Sequence, residues 1–201
     1  FLNTPTAGGF QVADAIIYKR TFVKSTWATI CFPYAVSRVT VFDPDGQEYD
    51  LQSSSAFGDV NGNYYLKSLT ANASHAEYVN SWTYETSIQA NKAYIIAFPS
   101  DYYTGKVIRF YGTTQNINTS ANIFTEPSSE SGNNYNLYSN NSYVNQTVSN
   151  VYTLNTAGTF FMYNESVIIK PFSCFVKSTD ATAPASQMSF DDLLNPIDNT
   201  V

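Results

Sequence analysis

The sequence predicts an all-β protein, an antiparallel β-sandwich of jelly-roll or immunoglobulin-like type with at most one or two short helices. Three observations point there. With 16 Tyr and 14 Phe in 201 residues, the chain is rich in side chains that fit pleated, half-buried surfaces. Its apolar runs are strand-length and are separated at close spacing by turn residues. Residues 25–34, STWATICFPY, are largely apolar at both sets of alternating positions, the pattern of a strand covered on both faces. At this length one sandwich can occupy all of 1–201, with a core over about 15–177 and a linker-like segment at 178–201.

The elements follow in order. Residues 15–23 read as a strand with a basic centre at Lys19 and Arg20. Residues 25–34 form the covered strand, ended by Pro33. Residues 38–42 and 47–52 make a hairpin around Asp43-Pro44-Asp45-Gly46, a type I turn followed by a bulge. Residues 64–69 are a strand. Ser74 and Glu77 have capping-box spacing, which predicts a short helix at 75–80. Residues 92–98, KAYIIAF, are a buried strand, and with 106–111 they read as an antiparallel hairpin. Residues 113–150 are dominated by Asn, Ser, Thr and Tyr and read as a long surface loop. Strands at 151–154, 160–163 and 166–170 precede KPFSCFV at 170–176, and a short helix is expected from Ser189 to Leu194, stopped by Pro196.

Composition limits function. The net charge is −6, the pI is about 4.6, and no basic run occurs. Nucleic acid and anionic membrane surfaces both call for concentrated positive charge, so neither is an expected partner. No apolar run is long enough to span a bilayer. The chain starts at Phe1 without a leader-like segment, which reads as a mature or trimmed chain. Charged residues are only 13%, about half the usual share, and Asn, Ser, Thr and Tyr supply the polarity; this favours an exported protein, extracellular or at the cell surface.

Catalytic equipment is sparse. The single histidine, His75, lies in a polar segment, and no serine sits in a nucleophile elbow. Most Asp and Glu fall in turns, so an acid-pair glycoside hydrolase is the least favoured reading. Asp43, Asp45 and Asp50 offer oxygen ligands at alternate positions, a pattern calcium accepts, although the full twelve-residue loop is missing; no other cofactor is expected. Trp82, Tyr102, Tyr103, Tyr135 and Tyr138 are candidates for stacking on sugar rings, against the plainer alternative that tyrosines cover loops here. Cys31 and Cys174 allow one disulfide; the reading preferred over it is two buried, reduced thiols used as small apolar side chains.

Several stretches together resemble a β-rich domain of secreted and cell-surface proteins of gut Bacteroidetes. They are Trp27-Ala28-Thr29-Ile30-Cys31-Phe32-Pro33-Tyr34, then Ile88 through Ile96, then Tyr152 through Phe160, and finally Pro171-Phe172-Ser173-Cys174-Phe175-Val176. The resemblance covers most of 15–177. It implies a β-sandwich with an adhesion-like or scaffolding role and no catalytic residues, its partner an unknown protein or glycan at the cell surface. A carbohydrate-binding accessory module of a glycan-degrading protein is the alternative. It also implies that Asn195-Pro196-Ile197-Asp198 begins a linker to a sorting tail. Relatives often carry the first cysteine without a second, which supports the reduced-thiol reading.

Overall fold

The structure is a computed structural model, and it describes residues 10–11, 16–22, 26–55, 63–69, 82–112, 116–117, 135–142, 144–155, 160–178 and 187–188. The described residues are almost entirely β, as the composition predicts. Their only helical piece is a single 3-10 turn at Asp101–Tyr103. The helices expected at 75–80 and 189–194 lie outside the described residues. Among those described, no helix is long and apolar enough to cross a membrane.

Four sheets stack face to face. The first contains β2 (Ile16–Thr21), β10 (Val107–Gly112), β4 (Val36–Phe42) and β5 (Glu48–Leu51), in that order. The second runs β3 (Ala28–Ile30), β9 (Tyr94–Ala97), β7 (Tyr64–Leu69) and β6 (Ser53–Ser54), with β8 (Trp82–Tyr84) also on β7. The third runs β12 (Tyr135–Asn140), β17 (Ser173–Ser178), β14 (Val151–Leu154), β15 (Phe160–Tyr163) and β18 (Gln187–Met188). A ribbon of β13 (Gln146–Val148) and β16 (Val167–Ile169) closes the stack, and β1 (Phe10–Gln11) pairs with β11 (Asn116–Ile117) apart from it. Pairing is antiparallel except between β6 and β7.

Strand alternation assigns the faces. Tyr64 and Leu66 of β7, and Tyr94 and Ile96 of β9, join Ile30, Phe32, Val41, Ile108 and Phe110 in the core between the first two sheets. Tyr65 of β7 and Ile95 and Ala97 of β9 point the other way. There they meet Trp27, Trp82, Tyr152 and Val176 in a second core, against the third sheet. Val151, Ile169 and Phe175 form a third core beneath the ribbon. The second sheet is therefore covered on both faces, and β9 reads as a near-continuous apolar run for that reason.

Aromatic rings dominate the first core. Phe32 is fully buried, its ring centre 5.2 Å from Tyr18, 5.3 Å from Tyr34 and 5.1 Å from Phe110. The hairpin of β4 and β5 forms as the turn residues require. Gly46 takes φ +83° and donates its N–H to the Asp43 carbonyl at 2.9 Å.

Four expectations need correcting. KAYIIAF and KVIRFYG do not pair: β9 lies in the second sheet and β10 in the first. The link between them sends Phe98 and Tyr103 into the first core, 5.8 Å apart, so the chain crosses between layers instead of folding back. The polar stretch 113–150 is not only a loop, because it supplies β11, β12 and β13. β12 mixes Tyr135, Leu137 and Tyr138 with the buried polar residues Asn136, Ser139 and Asn140, and the Asn140 side chain is satisfied by hydrogen bonds within the protein. Gln187–Met188, in the segment expected to be linker-like, extends the third sheet against β15. Finally, among the described residues of the opening stretch only Ala28–Ile30 are strand, and Trp27 and Cys31–Tyr34 are buried outside it.

Two substitutions test this packing by urea unfolding. Phe32→Ala is expected to cost about 3–5 kcal/mol, the range for a buried phenylalanine. A Cβ on Gly112 would fall 2.2 Å from Cδ2 of Tyr34, so Gly112→Ala is expected to cost about 1–3 kcal/mol through overpacking. An unchanged unfolding midpoint in either variant contradicts the packing described.

Candidate functional site: a basic cleft beside the covered strand

A cleft of about 410 Å³ opens where β2 and β3 face β14, β16 and β17. Trp27 and Thr29 of the opening stretch form part of one wall, and Thr153, Asn155 and Ile168 form part of the other. Ile168 is 61% exposed, the most open of the large apolar side chains described. Arg20 and Lys170 are the charged groups of the lining among the described residues, and no described carboxylate lines it. The Arg20 guanidinium donates to the Thr29 carbonyl at 2.7 Å and lies 5.1 Å from the centre of the Phe22 ring. Among the described residues it meets no acid.

Ser173 and Cys174 also line the cleft. They follow Phe172, whose φ of +59° is uncommon for a bulky residue. Hydrogen bonds hold it there: its N–H donates to the Asn140 carbonyl at 2.7 Å, and its carbonyl accepts the Cys31 N–H at 3.2 Å. Asn140 is itself buried, and its side-chain amide donates to the carbonyls of Val144, Ile169 and Lys170. The corner before β17 is thus set by one buried asparagine.

The carboxylates lie elsewhere and are engaged. Glu48, on the first sheet, accepts hydrogen bonds from Tyr111, from Thr40 at 2.7 Å and from Arg109 at 3.4 Å. The Tyr111 bond, then the Thr40 bond, hold its carboxyl below the ordinary value. Asp50 is paired with Arg38. Burial works to raise Glu85, but bonds from Lys92 at 2.6 Å and Ser68 outweigh it and keep it low. A general acid for glycoside cleavage needs the opposite shift.

The residues singled out from the sequence are dispersed. Trp82 is 4% exposed and sits in the second core, so protein covers its ring faces. Tyr135 packs edge-on to Tyr152, and Tyr138 stacks on Phe175. Tyr103 is buried in the first core. Tyr102 is the exposed one at 44%, yet the Lys106 ammonium lies 3.1 Å from its ring centre and its hydroxyl donates to Asp43. Asp43 also pairs with Lys106, Asp50 with Arg38, and Asp45 is exposed at the turn, so the three candidate calcium ligands do not converge. Among the described residues no group of three His, Cys, Asp or Glu side chains does. His75 lies outside them.

One buried charge escaped the sequence reading. Lys67 is 2% exposed on β7 and has no carboxylate partner among the described residues. Its ammonium lies 4.3 Å from the Tyr84 ring centre and 5.9 Å from that of Trp27. Burial lowers its pKa from 10.5 to about 8. The folded chain releases this proton near pH 8, while the unfolded chain keeps it to 10.5. Its contribution to stability therefore rises with pH across that window. Lys67→Met is expected to stabilise the protein at pH 7 by about 1 kcal/mol or more. The gain over the parent should shrink between pH 8 and pH 10.5 in urea titrations; a gain that stays constant across that window contradicts the assignment.

No family model, curated protein or solved structure matches the chain.

Proposed function

We propose that this chain is a non-catalytic module of an exported or cell-surface protein, with an adhesion-like or scaffolding role. The observation that carries the proposal is the make-up of the cleft. Among the described residues that line it, the polar groups are two cations and a set of hydroxyls and amides, with no carboxylate or histidine. Arg20 and Lys170 are suited to holding a ligand by charge and donated hydrogen bonds. The carboxylates described elsewhere accept bonds from cations and hydroxyls, which suits structure more than proton transfer. The resemblance of the segments around Trp27 and Cys174 to adhesion-like Bacteroidetes domains leads to the same reading.

A second reading, carbohydrate binding, has its own support. The exposed Ile168 side chain gives the cleft an apolar wall, and Thr153, Asn155 and Ser173 supply groups able to bond sugar hydroxyls. Arg20 and Lys170 bias such a site towards acidic glycans over neutral ones.

Incubation with panels of glycans and peptides is expected to give no turnover; turnover lost on Glu48→Gln or Asp50→Asn would overturn the non-catalytic reading. On a glycan array, acidic polysaccharides are expected to be retained at low salt, with at least a tenfold loss of affinity in the Arg20→Ala/Lys170→Ala double variant. An array blank at high protein concentration removes the carbohydrate reading and leaves the adhesion-like one.

A further inference from the structure

The two cysteines, separated by most of the chain, meet where β3 ends and β17 begins. Each thiol lies against the carbonyl of the residue preceding the other cysteine. Cys31 Sγ is 3.6 Å from the Ser173 oxygen, and Cys174 Sγ is 3.1 Å from the Ile30 oxygen. The Cys174 side chain is also among the neighbours that raise the Cys31 thiol, after burial. Backbone bonds clamp the strands around the pair. The Cys31 N–H donates to the Phe172 carbonyl at 3.2 Å, and the Cys174 N–H donates to Thr29 Oγ1 at 3.0 Å. Both side chains are buried, at 0% and 3% exposure, and the chain has no other cysteine to compete.

We propose that Cys31 and Cys174 form a disulfide when the chain meets an oxidising compartment, covalently tying the second sheet to the third. A metal is the other common use of paired thiols. It needs further ligands, and no group of three His, Cys, Asp or Glu side chains is brought together among the described residues. A disulfide needs the two sulfurs about 2 Å apart, so its formation requires the two side chains to rotate towards each other.

The chemistry balances by thiol–disulfide exchange with an external disulfide, of the glutathione or oxidoreductase type. Cys174, which lines the cleft, attacks one sulfur of that reagent as a thiolate and displaces the first reagent thiolate. Cys31 then attacks the Cys174 sulfur, forms the S–S bond and displaces the second. The reagent leaves as two thiols, carrying the two electrons and two protons lost by the cysteines. Burial, then the Cys174 side chain, push the Cys31 thiol well up, so the second step is slow in the folded chain and belongs to folding.

The test is refolding of the full reduced chain in a mixture of oxidised and reduced glutathione. Denaturing alkylation should then find no free thiol, and the intact mass should be about 2 Da below that of the reduced chain, one disulfide having formed. A proteolytic peptide carrying Cys31 should be linked to one carrying Cys174. The thermal midpoint should stand about 10 °C or more above that of the reduced protein, as closure of a long loop implies. That difference should vanish in the Cys31→Ala/Cys174→Ala variant. Two alkylated thiols, glutathione adducts alone, or disulfide-linked dimers overturn the proposal, as does a linked pair with no rise in midpoint. The mass measurement uses the parent chain, so it stands even where the alanine variant fails to fold.

Discussion

The second sheet has to be covered on both sides, and the rest of the architecture answers that demand. Tyr94 and Ile96 enter one core while Ile95 and Ala97 enter another, all at 1% exposure or less. A strand apolar on both faces has no stable position at a surface. One layer must cover each side: the first sheet takes β2, β4 and β5 from the N-terminal half together with β10, and the third sheet comes from the C-terminal half. The sandwich thereby becomes a stack.

Charge is arranged around that constraint. With few charged residues to place, the chain concentrates several of them on the first sheet, where Arg38, Arg109, Glu48 and Asp50 pair across strands. Such exposed pairs contribute little stability each, and their value lies more in solubility. Lys67 is the exception, a cation on the covered sheet held by aromatic faces instead of a carboxylate. Arg20 and Lys170 are the second departure, because they face an open cleft lined by no acid among the described residues.

The candidate site was legible only in fragments. Arg20 was visible as the basic centre of a strand, but nothing in its neighbourhood announces Lys170, Asn155 or Ile168, which come from distant strands. Trp82 and Tyr103 looked exposed because polar residues surround them in sequence; strand alternation turned the Trp82 ring inward, and the 3-10 turn at Asp101–Tyr103 carried the Tyr103 ring into the first core. Asp43 and Asp50 had metal-like spacing, yet cations on neighbouring strands and loops took their oxygens. Spacing along one strand fixes only which side chains share a face, whereas coordination depends on what other strands bring to that face.

By itself, the sequence determined the β class, the Gly46 hairpin and the burial of the strand within KAYIIAF. These are local matters, set by alternation, turn chemistry and the cost of wetting apolar surface. Only the tertiary structure decided that β9 and β10 part into different sheets, that the polar segment before residue 150 contributes strands, and that Cys31 stands against Cys174. Those outcomes depend on which surfaces meet, and a pleated strand carries no record of its distant neighbours. Asn140 shows why: its side-chain amide bonds carbonyls some thirty residues further along the chain, a role that only the folded packing creates.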